Sequence, residues 1–191
     1  MTATIEFGGV RLRPMQEGDQ ARVLAWRSDP AISRVMYTEV KDATPQQQLV
    51  WFRRVSASLE HEYWIIENRG MPIGVANLAA LAPQHGRSDW AFYLGDPAAR
   101  GSGAGAKVEF AVIHYVFFHR RLRKLCCQVL SNNIEIARMH QKFGFVEEGV
   151  LRRHYYLGGE WLDVHLLALH DDTARERGYD KKGVRVLDEA T

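Results

Sequence analysis

Cysteine is nearly missing: the 191 residues hold two, Cys126 and Cys127, side by side in an apolar run. Adjacent cysteines supply neither a disulfide framework nor the separated pairs of a metal site, so they read as small residues of a buried strand, and no metal is expected. No stretch approaches the ~20 apolar residues of a spanning helix, and the opening MTATIEFGG has neither the basic nor the apolar region of a signal peptide. These absences predict a cytoplasmic protein without a membrane partner. An excess of one charge is missing too. With 25 Lys and Arg against 23 Asp and Glu, a nucleic-acid surface is not expected, and any anion site must be local. No internal repeat or linker rich in Pro, Gly or Ser divides the chain. The 46% hydrophobic, 25% charged composition therefore predicts one globular domain over residues 1–170, followed by a charged tail over 171–191 that starts as a short helix and frays.

The patterning predicts a strand over residues 10–15, where Val10 and Leu12 alternate with Arg11 and Arg13, and then a helix capped by Asp19 and stopped at Asp29-Pro30. Thr44-Pro45-Gln46-Gln47 combines an N-cap, a first-turn proline and a Gln three residues after the cap, so a second helix starts there, with Leu49, Phe52 and Val55 as its buried stripe. Residues 63–67 and 71–81 flank Asn68-Arg69-Gly70 as a hairpin, and 88–94 form a further strand. A helix over 106–119, a short strand over 125–130, a helix over 134–143 and a closing hairpin around Gly158-Gly159 complete the order. The predicted fold is α/β, a mixed sheet with helices on both faces.

Chemistry concentrates first in Arg100-Gly101-Ser102-Gly103-Ala104-Gly105, a turn between a strand and a helix. Alternating glycines let backbone N–H groups converge on one anion at the positive end of the helix dipole, so phosphate binding is expected. A Walker A loop is excluded because Lys107 follows Ala106 and precedes Val108. A dinucleotide fingerprint is formally met by Gly101, Gly103 and Ala106, but the acidic residue needed ~20 positions on is absent. A third pattern remains: Arg100, Gly103 and Gly105 in the order Arg, two residues, Gly, one residue, Gly.

That pattern resembles the acetyl-CoA loop of the GCN5-related N-acetyltransferases (GNAT), as does Asn133 ahead of His140-Gln-Lys142-Phe-Gly-Phe145. The resemblance covers residues 11–169 and implies acetyl-CoA as co-substrate. It implies a pantetheine arm held between splayed strands at 90–94 and 125–130, with the pyrophosphate on the loop and Asn133 and Lys142 on the cofactor side. A backbone N–H near Tyr93 or Leu94 would polarise the thioester carbonyl. Many relatives use Glu and Tyr where this chain has Gln128 and His140, so these two are the implied catalytic positions. His140 can give a proton to the leaving thiolate or accept one.

The first third resembles the PseH-type enzymes, which acetylate the 4-amino group of a UDP-linked 4-amino-4,6-dideoxy sugar in pseudaminic acid synthesis. Trp26-Arg27, Met36-Tyr37, Trp51-Phe52 and the run from Trp90 to Gly95 carry this likeness. It implies Arg27 on a phosphate and Met36 and Tyr37 on uracil or sugar faces, with Trp51 and Trp90 also toward the acceptor. Gln48 stands where relatives often carry His, a position tied to the diphosphate or the sugar stereochemistry. A Rim-type protein N-terminal acetyltransferase and a CoA-binding module without catalysis are the alternatives, and a homodimer is left open.

Overall fold

The computed structural model describes residues 2–38, 40, 42–181 and 183–188. Nine strands among them form one sheet: β1 (Thr4–Phe7), β2 (Val10–Pro14), β3 (Glu62–Asn68), β4 (Met71–Ala82), β5 (Arg87–Leu94), β6 (Lys124–Leu130), β7 (Val146–Leu157), β8 (Glu160–His170) and β9 (Arg185–Leu187). Their spatial order is β7-β8-β6-β5-β4-β3-β2-β1-β9, antiparallel at every junction except β5 to β6. The helices are α1 (Gln20–Ser28), α2 (Pro30–Ser33), α3 (Pro45–Ser56), α4 (Ala104–His114), α5 (Ile134–Lys142) and α6 (Asp171–Glu176).

The period-two alternation of the strands sends their side chains into two cores. On β3, Trp64 and Ile66 join the large core beneath α4 and α5, whereas Tyr63 and Ile65 face the smaller core of α1 and α3 with Val23, Trp26, Trp51 and Phe52. Fully burying an aliphatic chain such as Ile65 contributes about 1.5–3 kcal/mol, so a one-residue slip of this central strand is strongly opposed.

Local signals explain the helix ends. The Thr44 hydroxyl accepts from Gln47 N–H and the Gln47 side chain accepts from Thr44 N–H, a complete capping box with Pro45 in the first turn. Asp29 ends α1 in an extended conformation, and Pro30 then opens α2. Asp19 precedes α1 but does not cap it. Its carboxylate is taken by Arg13, at 2.7 and 2.8 Å, and by the Gln16 N–H.

Three features differ from the sequence-based expectation. An extra strand, β1, precedes residues 10–15, because its short TIEF run lacks a long alternation yet pairs with both β2 and β9. The helix expected over 106–119 is α4 followed by a π-helical turn at Tyr115–His119. The segment expected as a short helix and a frayed tail forms that helix, α6, but also supplies β9 and buries Ala174 and Tyr179 in the main core; residues 182 and 189–191 of it lie outside the described residues.

β5 and β6 stay paired only over Arg87↔Lys124, Ser88↔Leu125 and Asp89↔Cys126. Beyond Asp89 and Cys126 the strands diverge, which opens a gap in the middle of the sheet. The expected splay therefore begins at 127 on the second strand rather than at 125.

Candidate active site

The gap has one free strand edge whose polarity follows from the ladder on its other side. The Gly95 N–H donates to Ile73 O at 2.8 Å, and the register pairs Leu94 with Gly74 and Tyr93 with Val75. Alternation then turns the Tyr93 N–H toward β4 and the N–H groups of Phe92 and Leu94 toward the gap. Of the two residues named for the thioester carbonyl, Leu94 presents a free amide edge and Tyr93 does not.

The glycine turn stands at the mouth of this gap. Gly101 and Gly103 have φ of +74° and +81°, a region L side chains rarely adopt, and Gly103 opens α4. The Ser102 hydroxyl bonds Ala99 O at 2.6 Å and receives Ala104 N–H at 3.3 Å, which fixes the turn from within. Gly105 and Ala106 occupy the first helical turn, where N–H groups have no carbonyl one turn back. Arg100, Gly101, Ser102 and Gly103 are exposed, so this donor-rich surface is open to an anion, while the buried Ala104 anchors it. Asn133 stands before α5 with no side-chain capping bond, and Lys142 is exposed at the far end of that helix.

His140 is only 4% exposed and lies under the β5 arm, its ring centroid 5.3 Å from Trp90, 5.2 Å from Phe145 and 6.5 Å from Phe92. Phe92 also lies against Gly105, where an added Cβ would come 3.5 Å from the ring, so one aromatic links the glycine turn to the imidazole. His140 Nδ1 is 2.8 Å from Oε1 of Glu109 on α4. Burial pushes the Glu109 carboxyl up, opposed by the hydrogen bond and charge of His140. Nδ1 being taken, proton exchange with a substrate falls to Nε2.

The two implied catalytic positions, His140 and Gln128, lie on opposite faces of the sheet. Cys127 and Val129 point into the core beneath α4 and α5, so alternation puts the exposed Gln128 on the opposite face of β6.

On that opposite face, Arg27 is 92% buried, with its guanidinium carbon 5.8 Å from the Tyr93 ring centroid. It donates to the Thr38 carbonyl and, at 3.0 Å, to the Thr38 hydroxyl, while its Nε and the Tyr93 hydroxyl are buried with no hydrogen-bond partner among the described residues. Burial pulls the guanidinium down from its ordinary value, opposed by the phenols of Tyr93, Tyr63 and Tyr155; burial pushes the Tyr93 phenol up. Tyr37 stacks on Tyr155 of β7 at 5.0 Å, and Asn132 donates to Arg34 O at 2.8 Å, so the segment after α2 straddles the gap. Met36 is half-buried in that crossing segment.

Of the other residues expected at the acceptor, Trp90 lies off the Arg27 face, while Gln48 and Trp51 belong to the helix packed on it. Trp90 is on the His140 face, opposite Tyr93, because the two are an odd number of residues apart on one strand. The buried Gln48 donates to Gln20 Oε1 at 2.8 Å, and Gln20 in turn to Gln16 O, which ties α3 to α1. Trp51 packs edge-on against Tyr63 in the smaller core. Glu109, Tyr63, Tyr155 and Thr38 were not anticipated. A lone carboxylate within the apolar Val108-Glu-Phe-Ala-Val-Ile113 run was the available signal for Glu109.

Residues 10–146 match the family described as acetyltransferase (GNAT) domain. An uncharacterized N-acetyltransferase, YoaA, of Bacillus subtilis (strain 168) is 26% identical over 88% of this chain and 97% of its own length. Spermidine N(1)-acetyltransferase of Escherichia coli (strain K12) is 22% identical over 80% of this chain and 81% of its own. Among solved structures, spermidine N-acetyltransferase from Vibrio cholerae in complex with CoA and spermine superposes with a TM-score of 0.81 at 18% identity, covering 86% of this chain and 97% of that one. The family match spans the splayed strands, the glycine turn and the His140 helix together, and the chain belongs to the GNAT family of N-acetyltransferase domains.

Proposed function

We propose that this N-acetyltransferase binds acetyl-CoA with its pyrophosphate over residues 100–105 and its pantetheine arm along the free edge of β5. The N–H of Leu94 stabilises the oxyanion that forms when an amine attacks the thioester. The turn and the gap fit such a co-substrate in both chemistry and order: N–H donors at the mouth, then an unpaired strand edge. The amine enters from the face of Arg27, Tyr93 and Tyr37, and displaces CoA directly.

The observation that carries the acceptor reading is the buried Arg27, with Nε unpartnered beside the unpartnered Tyr93 hydroxyl and no carboxylate partner among the described residues. A buried cation facing the entry face disfavours a polycation and favours an amine that also bears oxygen acceptors or phosphate, as a UDP-linked amino sugar does. A second reading, a polyamine acceptor, is supported by the relatives named as spermidine N-acetyltransferases. The deciding experiment presents acetyl-CoA with a UDP-linked 4-amino-4,6-dideoxy sugar, spermidine and an N-terminal peptide, and follows free thiol. Turnover of the sugar alone supports the proposal; turnover of spermidine alone overturns it.

A further inference from the structure

Glu109 is wholly buried within an apolar helix. Oε1 lies 2.8 Å from His140 Nδ1, and Oε2 is out of solvent with no hydrogen-bond partner among the described residues. The rings of Trp90, Phe92 and Phe145 surround the imidazole. Two other titratable groups face the pair. The Cys127 thiol on β6 is pushed well up, mainly by burial and then by Glu109, and the Tyr179 phenol beyond α6 is pushed up chiefly by burial. No Lys or Arg among the described residues forms an ion pair with Glu109.

We propose that Glu109 is a positioning residue that holds His140 with Nε2 protonated, so that His140 serves as the acid for the departing CoA sulfur and not as the base for the amine. The proposal rests on the acetyl-transfer reading above. Two proton arrangements leave the pair neutral overall: carboxylate with imidazolium, and carboxylic acid with imidazole. In the second, with the acid proton on Oε1, Nδ1 accepts from the acid and Nε2 holds the ring proton, so both arrangements present Nε2–H. A bare Nε2 requires either the singly negative pair, whose net charge a buried site walled by aromatic rings penalises, or an acid proton on Oε2, a buried donor with no hydrogen-bond partner among the described residues. The pair is therefore loaded with its donor proton before the substrates meet.

The step balances. As the amine nitrogen bonds to the acetyl carbon, the C–S bond breaks with its electrons on sulfur. Sulfur takes the Nε2 proton and CoA leaves as the thiol. The nitrogen's surplus proton goes to water, and the negative pair left behind regains a proton from water.

The test uses the full chain and its E109Q variant, which keeps the side-chain volume, with E109D as the conservative partner. The 15N chemical shifts of the His140 ring nitrogens read the proton on Nε2 without any turnover. Wild type is expected to keep Nε2–H through neutral pH. Since Gln removes the acidic partner, E109Q is expected to lose its second ring proton at lower pH. With the amine that wild type acetylates, kcat of E109Q is expected to fall about 10²-fold and its alkaline limb to move to lower pH, while the acetyl-CoA Kd stays within a factor of two. E109D is expected to recover part of the rate and the wild-type direction of the limb. Identical ring titrations in wild type and E109Q would overturn the proposal. A shifted titration with unchanged kcat would refute the role in transfer. Wild type that neither binds acetyl-CoA nor acetylates any of the three amines would overturn the functional reading itself, and the ring titration separates that failure from the first.

Discussion

The guanidinium of Arg27 lies over the ring of Tyr93, and two buried polar groups of this stack, Arg27 Nε and the Tyr93 hydroxyl, have no hydrogen-bond partner among the described residues. A buried cation with incomplete hydrogen bonding opposes folding, and groups of this kind persist where binding or chemistry uses them. Arg27→Met keeps most of the packing volume and removes the charge. It is expected to leave the melting temperature unchanged or raise it, while raising the acceptor KM by the equivalent of about 2–5 kcal/mol and sparing acetyl-CoA affinity. Thermal unfolding beside two-substrate kinetics checks this; equal damage to both substrates would place Arg27 among purely structural residues.

Gly105 separates stability from binding in the other half of the site. An alanine Cβ there would sit 3.5 Å from the Phe92 ring, an ordinary contact, and the residue is already helical. Gly105→Ala should therefore stabilise the fold by up to about 1 kcal/mol. The half-buried position lies within the proposed pyrophosphate turn, whose backbone the added methyl crowds, so acetyl-CoA binding is expected to weaken about tenfold or more. Gly103→Val differs, because φ of +81° strains any side chain even though the space around it is open. It should lose both stability and affinity. Calorimetric titration of acetyl-CoA into each folded variant distinguishes the two.

The cofactor half was more legible in the sequence than the acceptor half, and the reason is locality. A capping box, a proline stop and a run of alternating glycines each act within a few residues, so Thr44-Pro45-Gln46-Gln47 and residues 100–105 announce themselves. Contacts across the sheet do not. Glu109 and His140 are 31 residues apart and meet because α4 and α5 pack on one face. Trp90 and Tyr93 look like neighbours in one aromatic run, yet strand alternation sends them to opposite faces. The short β1 and β9 owe their existence to pairing with each other and with β2, which no local pattern encodes.

Asp19 gives a pH test of the fold. Burial tends to raise its carboxyl, but the hydrogen bonds from Arg13 and the Gln16 N–H prevail and hold it below the usual carboxylate value. A lowered folded value means that the stabilisation is complete above the unfolded pKa of ~3.9 and is lost as pH falls through the folded value. Asp19→Asn is expected to cost about 1–3 kcal/mol at pH 7, the range for hydrogen bonds to charged groups. Urea unfolding at pH 7 and again near pH 3 should show the gap between wild type and variant narrowing at the acid end. A gap that widens on acidification would contradict this sign.

Composition alone marks the segment after β8 as a charged tail. Its contacts say otherwise. The Tyr179 hydroxyl donates to Phe143 O at 3.0 Å and Arg177 donates to Lys142 O at 2.9 Å, so both hold the C-terminal end of α5, two and three residues beyond His140. Tyr179 also packs edge-on against Phe110 at 4.9 Å, one residue from Glu109. The segment thus braces both helices that hold the buried carboxylate–imidazole pair. Tyr179→Phe removes only the hydroxyl and is expected to cost about 0.5–1.5 kcal/mol with little effect on kcat. Tyr179→Ala empties a core position and should cost several kcal/mol, on the order of 3–5, by the cavity it leaves. Because the loosened α5 no longer fixes the imidazole, kcat should fall more than the acetyl-CoA affinity, which rests on the proposed site at the start of α4. Ending the chain after His170 removes α6 and β9 together and exposes the edge of β1, so this truncation is expected to aggregate or melt well below the full chain. A truncated protein that keeps the full melting temperature and kcat would restore the tail reading.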